Sequence, residues 1–135
     1  MAAVSNTKIP AKLLDLFEKP IPAALVTLMP DGQPQATPVW VDFDGQFVRV
    51  NTARGRQKDR NMGKRTKVTL LLMDPSNPYH WAEVRGHIAD ATEDGADAHI
   101  SSLSKKYTGN ANYTKQNPAE VRVIYKIQPD KVNGQ

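Results

Sequence analysis

Apolar residues recur along this chain with two different periods, and the period changes several times. Residues 8–19 (KIPAKLLDLFEK) place Ile9, Leu13, Leu16 and Phe17 at helical spacing, with Pro10 acceptable in a first turn. Pro20 and Pro22 then stop the pattern, so a short amphipathic helix is predicted. Residues 22–52 turn to β-branched and aromatic types, interrupted by two tight-turn dipeptides, Asp31-Gly32 and Asp44-Gly45. They predict a three-stranded antiparallel meander over residues 23–29, 34–43 and 46–52. On its middle strand Gln35, Thr37, Val39 and Val41 share one face, and Ala36, Pro38 and Trp40 share the other. Pro38 inside a strand marks an edge, a bulge or a broken ladder.

Residues 67–74 (KVTLLLMD) are almost continuously apolar, the pattern of a strand covered on both faces. A turn over 75–78 leads to 79–91, where Ala82, Val84, Gly86 and Ile88 alternate with Trp81, Glu83, Arg85 and His87. The second set is too polar for a core and too aromatic for plain solvent, which predicts an interface. Thr92 is placed to cap a helix over 93–107, with acids early and Lys105 and Lys106 late, as the helix dipole favours. Its buried stripe is Ala96, Ile100, Leu103 and Tyr107. A loop with Gly109, Asn110 and Asn112 precedes a last strand over 119–127, where Val121, Val123, Tyr125 and Ile127 alternate. With a short helix between the third and fourth strands, the order predicts a mainly β fold: a small barrel of about six antiparallel strands flanked by three short helices. A single domain over residues 1–135 is expected, with 1–7 and 131–135 as mobile tails.

The composition is that of an ordinary globular protein, 39% hydrophobic and 24% charged. No apolar run approaches the roughly 20 residues of a membrane span, and the N-terminus lacks the apolar core of a secretory signal. The 135 residues include no cysteine, which excludes disulfides, thiolate nucleophiles and Cys-based metal sites and agrees with a cytoplasmic location. His80, His87 and His99 show no zinc spacing, and no GxSxG, GxxxxGK[ST] or strand-linked GxGxxG motif is present. An enzyme with this inventory would rely on a cofactor for its chemistry.

Charge then singles out residues 51–65, NTARGRQKDRNMGKR. Arg54, Arg56, Lys58, Arg60, Lys64 and Arg65 stand there against one acid, Asp59, while the whole chain has a net charge of +4. A cationic cluster where a strand hands over to a helix can grip a phosphate through outward N–H groups and charge-assisted bonds. A solvated basic face is the plainer reading of such a run. A nucleic-acid partner is not expected, because the charge is confined to one segment and Trp40 and Trp81 form no stacking series.

Taken together, these segments resemble the flavin-binding split β-barrel family related to pyridoxamine 5′-phosphate oxidase, and most closely its branch that uses the deazaflavin coenzyme F420. The resemblance rests on the DGxPQ hairpin and strand at 31–40, NTARGRQKDRN at 51–61, VTLLLMD, YHWAEVRG with Gly86, and the KKYTG, Tyr113 and EVRVIYKIQPDKV segments. It covers nearly the whole chain. It implies a homodimer with cofactor sites at the subunit interface, acting on a small-molecule substrate. Arg56 and Lys58 would grip the cofactor phosphate, with Asn61 beside them. Val50, Asn51 and Thr52 would line the ring, Gln35, Thr37 and Pro38 would border its polar edge, and Tyr79 and Trp81 would reach across from the partner subunit. Pro38 stands where some relatives carry a polar residue. The remaining cations, Arg54, Arg60, Lys64 and Arg65, exceed what one phosphate needs and favour F420, with its longer anionic tail, over the alternative, FMN. An F420-dependent reductase passing a hydride to an unsaturated substrate is therefore expected; an FMN-binding oxidase or flavin reductase is the alternative.

Overall fold

A computed structural model describes residues 8–115 and 117–135. A 3-10 turn, Ala11–Leu13, runs into helix α1 (Leu14–Glu18). Strands β1 (Ala23–Leu28), β2 (Pro34–Val39), β3 (Val41–Phe43) and β4 (Val48–Ala53) follow, then α2 (Gln57–Lys64), β5 (Lys67–Asp74), β6 (Asn77–Thr92), α3 (Ala96–Thr108) and β7 (Arg122–Gly134). All strand pairs are antiparallel, and the sheet order is β2-β1-β5-β6-β7-β4-β3.

The expected strand 34–43 is two strands. β2 and β3 lie at opposite ends of the sheet order, yet only Trp40 separates them in sequence. The chain therefore leaves β1 at Val39 and joins β4 at Val41, curling the sheet into a split barrel. A break of this kind frees backbone polar groups, which need partners. Helix α3 supplies them. The Val41 N–H donates to Tyr107 Oη at 3.1 Å, the Tyr107 hydroxyl donates to Ile21 O at 2.8 Å, and Lys106 Nζ donates to Val41 O at 2.7 Å and to Phe17 O. Trp40 stacks on the Tyr107 ring, 5.4 Å between centroids.

The barrel interior is filled from alternate positions of the strands: Leu25, Val41, Val48, Val50, Leu70, Leu72, Val84, Val123, Tyr125 and Ile127 are all buried. Leu13, Leu16 and Phe17 from the N-terminal turn and α1 complete that core, and Met62 adds to it from α2. At about 25 cal/mol per Å² of apolar surface, this burial is the main term holding the fold.

Four expectations change. β5 is not covered on both faces: Val68, Leu70 and Leu72 are buried, but Leu71 is 44% and Met73 51% exposed. The last strand runs over Arg122–Gly134 rather than 119–127, because Ala82–His87 of the long β6 pair with the residues beyond Ile127. Residues 131–135 are consequently not a mobile tail. Lys131, Val132, Asn133 and Gly134 pair with Arg85, Val84, Glu83 and Ala82, and Gln135 exchanges backbone hydrogen bonds with Trp81. Finally, α3 begins at Ala96 behind Gly95, whose φ of +74° favours glycine; Thr92 ends β6, and its hydroxyl only accepts from the Asp94 N–H. The other expected tail, 1–7, lies outside the described residues. Among the described residues, no helix is long and apolar enough to cross a membrane.

Candidate cofactor site

The basic run divides into two groups once folded. Gly55, at φ +91°, turns the chain from β4 into α2 and donates its N–H to Asp59 Oδ2 at 2.9 Å. Arg54 bonds Asp59 at 3.0 Å and Glu93 at 2.9 Å. Arg60 bonds Gln57 Oε1 at 2.6 Å and the Gly55 carbonyl, and Arg65 bonds Leu28 O at 2.6 Å and Asn61 Oδ1 at 3.2 Å. Arg54 and Arg60 hold the strand–helix turn together, and Arg65 ties the end of α2 to β1. They are not the spare charge that the sequence pattern implied, and only Lys64 of that set points to solvent unengaged among the described residues. Arg56 and Lys58 remain.

Both line a cavity of about 320 Å³ with Asn51, Pro38, Trp40, Ile100, Tyr113 and Arg122. Arg122 is buried at the start of β7, where Nη1 lies 3.2 Å from Glu120 Oε2 and 3.3 Å from Tyr113 Oη, and its guanidinium sits over the Tyr113 ring. Arg56 Nη2 reaches the other Glu120 oxygen at 3.3 Å. Two arginines thus converge on one carboxylate. Lys58 is the odd one: half-buried, without an acid partner among the described residues. Burial, together with the charges of Arg56 and Arg122, pushes its ammonium below the ordinary lysine range. An ammonium destabilised by desolvation and like charge gains most from an incoming anion.

The other wall is apolar. Pro22 and Pro38 are shared with a neighbouring groove of about 420 Å³, lined by Ala23, Ala24, Ala36, Thr37, Leu71 and Met73. A single surface therefore runs from a cationic end to a flat apolar end. That polarity fits a group with an anionic tail and a planar ring, such as a flavin or deazaflavin. Among the described residues no cluster of His, Asp and Glu could hold a metal.

The residues proposed from sequence do not all meet here. Pro38, Asn51, Arg56 and Lys58 line the cavity, and Thr37 lines the adjoining groove. Asn61 does not; it is 0% exposed and donates to Thr27 Oγ1 at 3.0 Å while accepting from Gln57 Nε2 at 2.8 Å. Gln35 belongs to the same polar hub, accepting through Oε1 from Thr27 and Asn61. This hub ties α2 to β1 and β2. The Val50 side chain is in the barrel core, and Thr52 is buried beside it on the same inward face, its Oγ1 without a hydrogen-bond partner among the described residues. Tyr79 (76% exposed) and Trp81 sit at the β5–β6 hairpin, and neither lines the cavity within this chain. Sequence reasoning missed Pro22, Trp40, Ile100 and Arg122. The available signal for Arg122 was an arginine directly before the apolar run Val123, Ile124 and Tyr125.

The model of the pyridoxamine 5′-phosphate oxidase family matches residues 9–135. The chain belongs to that family. The family's split-barrel fold is also seen in solved structures. One described as an F420 reductase is 32% identical, with a TM-score of 0.82 over 94% of this chain and 100% of its own. A conserved hypothetical protein of Mycobacterium tuberculosis shares 23% identity over 93% of this chain and 83% of its own, with a TM-score of 0.73. A Listeria innocua protein of the pyridoxamine 5′-phosphate oxidase type shares 19% identity over 91% of this chain and 94% of its own, with a TM-score of 0.69. The latter two support the fold alone. No curated protein sequence matches the chain.

Proposed function

We propose that this member of the pyridoxamine 5′-phosphate oxidase family is an F420-dependent reductase acting on a small unsaturated organic molecule. The observation that carries the reading is the cavity itself, where Lys58, Arg56 and Arg122 outnumber Glu120 and the opposite wall is apolar. The likeness to an F420 reductase supports deazaflavin over FMN. Lys58 and Arg56 would hold the anionic side, while Asn51 and Pro38 would border the ring. Bound in its reduced form, F420 would supply the hydride. The chain's part is to orient donor and acceptor and to exclude water, which is where most of the rate of such a transfer originates.

The reading includes a homodimer. Ala24, Val26, Leu71, Met73 and Trp81 share the outer face of the sheet, in register across β1, β5 and β6. A second copy covering this face would bury the exposed Leu71 and Met73 and bring Tyr79 and Trp81 towards a neighbouring cavity. Light scattering should give twice the mass of the chain, and Met73→Glu should shift it towards monomer.

The deciding experiment is a titration of purified protein with F420 and, separately, with FMN. Quenching of F420 fluorescence with saturable, stoichiometric binding and no response to FMN is expected. Tight FMN binding with indifference to F420 would replace this reading by an FMN-dependent oxidase or flavin reductase.

A further inference from the structure

Asn51 joins the cavity to a buried histidine on α3. Its Nδ2 donates to the Ala96 carbonyl at 2.9 Å and lies 3.1 Å from His99 Nδ1, while its Oδ1 accepts from Arg122 Nε at 2.8 Å. A carbonyl only accepts and a guanidinium only donates, so these two neighbours allow the amide one orientation. His99 Nδ1 consequently faces an N–H donor and is the unprotonated ring nitrogen. The other nitrogen, Nε2, is 3.0 Å from Asp42 Oδ2, which only accepts, and so carries the hydrogen. Asp42 is itself fixed by a two-pronged bond from Arg49, at 2.8 and 2.9 Å. The chain of bonds runs Arg49, Asp42, His99, Asn51, Arg122, and ends in the cavity.

We propose that His99, as its neutral Nε2–H tautomer, is the positioning residue that sets the Arg122 guanidinium in the cavity, acting through the Asn51 amide. The inference rests on the reading of the cavity as an anion-binding cofactor site, but the bonds it concerns belong to the chain alone. A hydrogen on Nδ1 would set two donors face to face. Asn51 could relieve this only by turning its amide, which would aim the NH2 group at Arg122 Nε and break the bonds to both Arg122 and Ala96. Losing the Asn51 bond would leave the Arg122 guanidinium held, among the described residues, by Glu120 and Tyr113, both on the 109–121 loop side.

The test has two parts on the full chain. First, nitrogen-15 NMR of the wild type at neutral pH should show His99 protonated at Nε2 and bare at Nδ1. A hydrogen on Nδ1, alone or with Nε2, overturns the proposal. Second, the Arg122 Nε–H signal, slowly exchanging in the wild type, should persist in His99→Gln, whose amide can donate to Asp42 and accept from Asn51. It should be lost in His99→Leu. An unchanged signal in His99→Leu, or equal loss in both variants, overturns the proposal even where one variant is less stable. F420 affinity should follow, dropping about tenfold in His99→Leu and less than about threefold in His99→Gln. Failure of the wild type to bind F420 would count against the cofactor reading, and the Arg122 signal would still decide the role of His99.

Discussion

Tyr125 Oη lies 2.6 Å from Asp59 Oδ1 and 3.1 Å from the Asp59 carbonyl oxygen, both in the interior. The pair links the N-terminal part of β7 to the first turn of α2, one residue from Lys58. Burial and the neighbouring carboxylate push the Tyr125 hydroxyl far above its ordinary range, so it remains a donor throughout the working pH range. Tyr125→Phe removes a bond to a charged acceptor and should cost about 1.5–3 kcal/mol in urea unfolding. No loss in the midpoint would show that α2 is anchored by other contacts.

The same carboxylate carries a pH dependence. Burial alone would raise the Asp59 carboxyl, but bonds from Tyr125, the Gly55 N–H and Arg54 outweigh it and hold the group below the ordinary carboxylate range. The folded state therefore binds its proton less readily than the unfolded chain. The stabilisation is fully present above about pH 4 and is lost as pH falls through the folded value. Asp59→Asn should flatten the acid limb of the stability curve. An unaltered acid limb in that variant would refute the assignment.

Lys58 and Arg56 should contribute unequally to anion binding. Arg56 already has Glu120 and is the more exposed, whereas Lys58 has no acid partner among the described residues. Lys58→Ala should weaken F420 binding by about 1.5–3 kcal/mol, and Arg56→Ala by less. Glu120→Gln removes the carboxylate that pairs with Arg56 and Arg122 and should tighten binding while lowering stability. Weaker binding in Glu120→Gln would mean that Glu120 orients the arginines more than it neutralises them.

Two glycines predict opposite outcomes. Gly86 sits where the β6–β7 ladder shifts register, and an added Cβ would collide with the Gln128 carbonyl and come within 2.9 Å of Ile127 Cγ2. Gly86→Ala should destabilise by about 1–3 kcal/mol. Gly63 lies in α2 with only the Tyr125 hydroxyl near, at 3.9 Å, so Gly63→Ala should stabilise by up to about 1 kcal/mol. Thermal denaturation of both variants checks the pair.

His80 faces acceptors at both ring nitrogens. Nδ1 lies 2.8 Å from Gln135 O, and Nε2 lies 2.9 and 3.1 Å from the Asp15 oxygens. Asp15, followed by the Gln135 carbonyl, raises its affinity for a proton. The stabilisation is complete below the unfolded value, about pH 6.5, and is lost as pH rises through the folded one. Stability should therefore decline above neutrality, and His80→Gln should remove that slope. A histidine titration by NMR at or below the ordinary value would contradict this.

Local pattern was enough for much of the fold. The Asp-Gly turns, the alternation along β1 and β6 and the helical stripes reflect which side of an element is apolar, and neighbours in sequence encode that directly. Together with the motif order, they were enough for the family and the split barrel. The basic run was legible as a cluster, and Arg56 and Lys58 as its cavity-facing pair. Partnership was not legible. Alternation continues unbroken through Trp40, and nothing near it reports that Val41 will pair with β4 once Tyr107, 66 residues away, satisfies the freed N–H. Likewise Arg54, Arg60 and Arg65 read as spare charge until folding brought Glu93, Gly55 and Leu28 to them, and Asn61 became a buried hub that does not line the cavity. Arg122 and His99 joined the site only when β7 and α3 packed beside β4. A sequence states which face each side chain takes; which polar partner it meets there depends on closure of the barrel over long range.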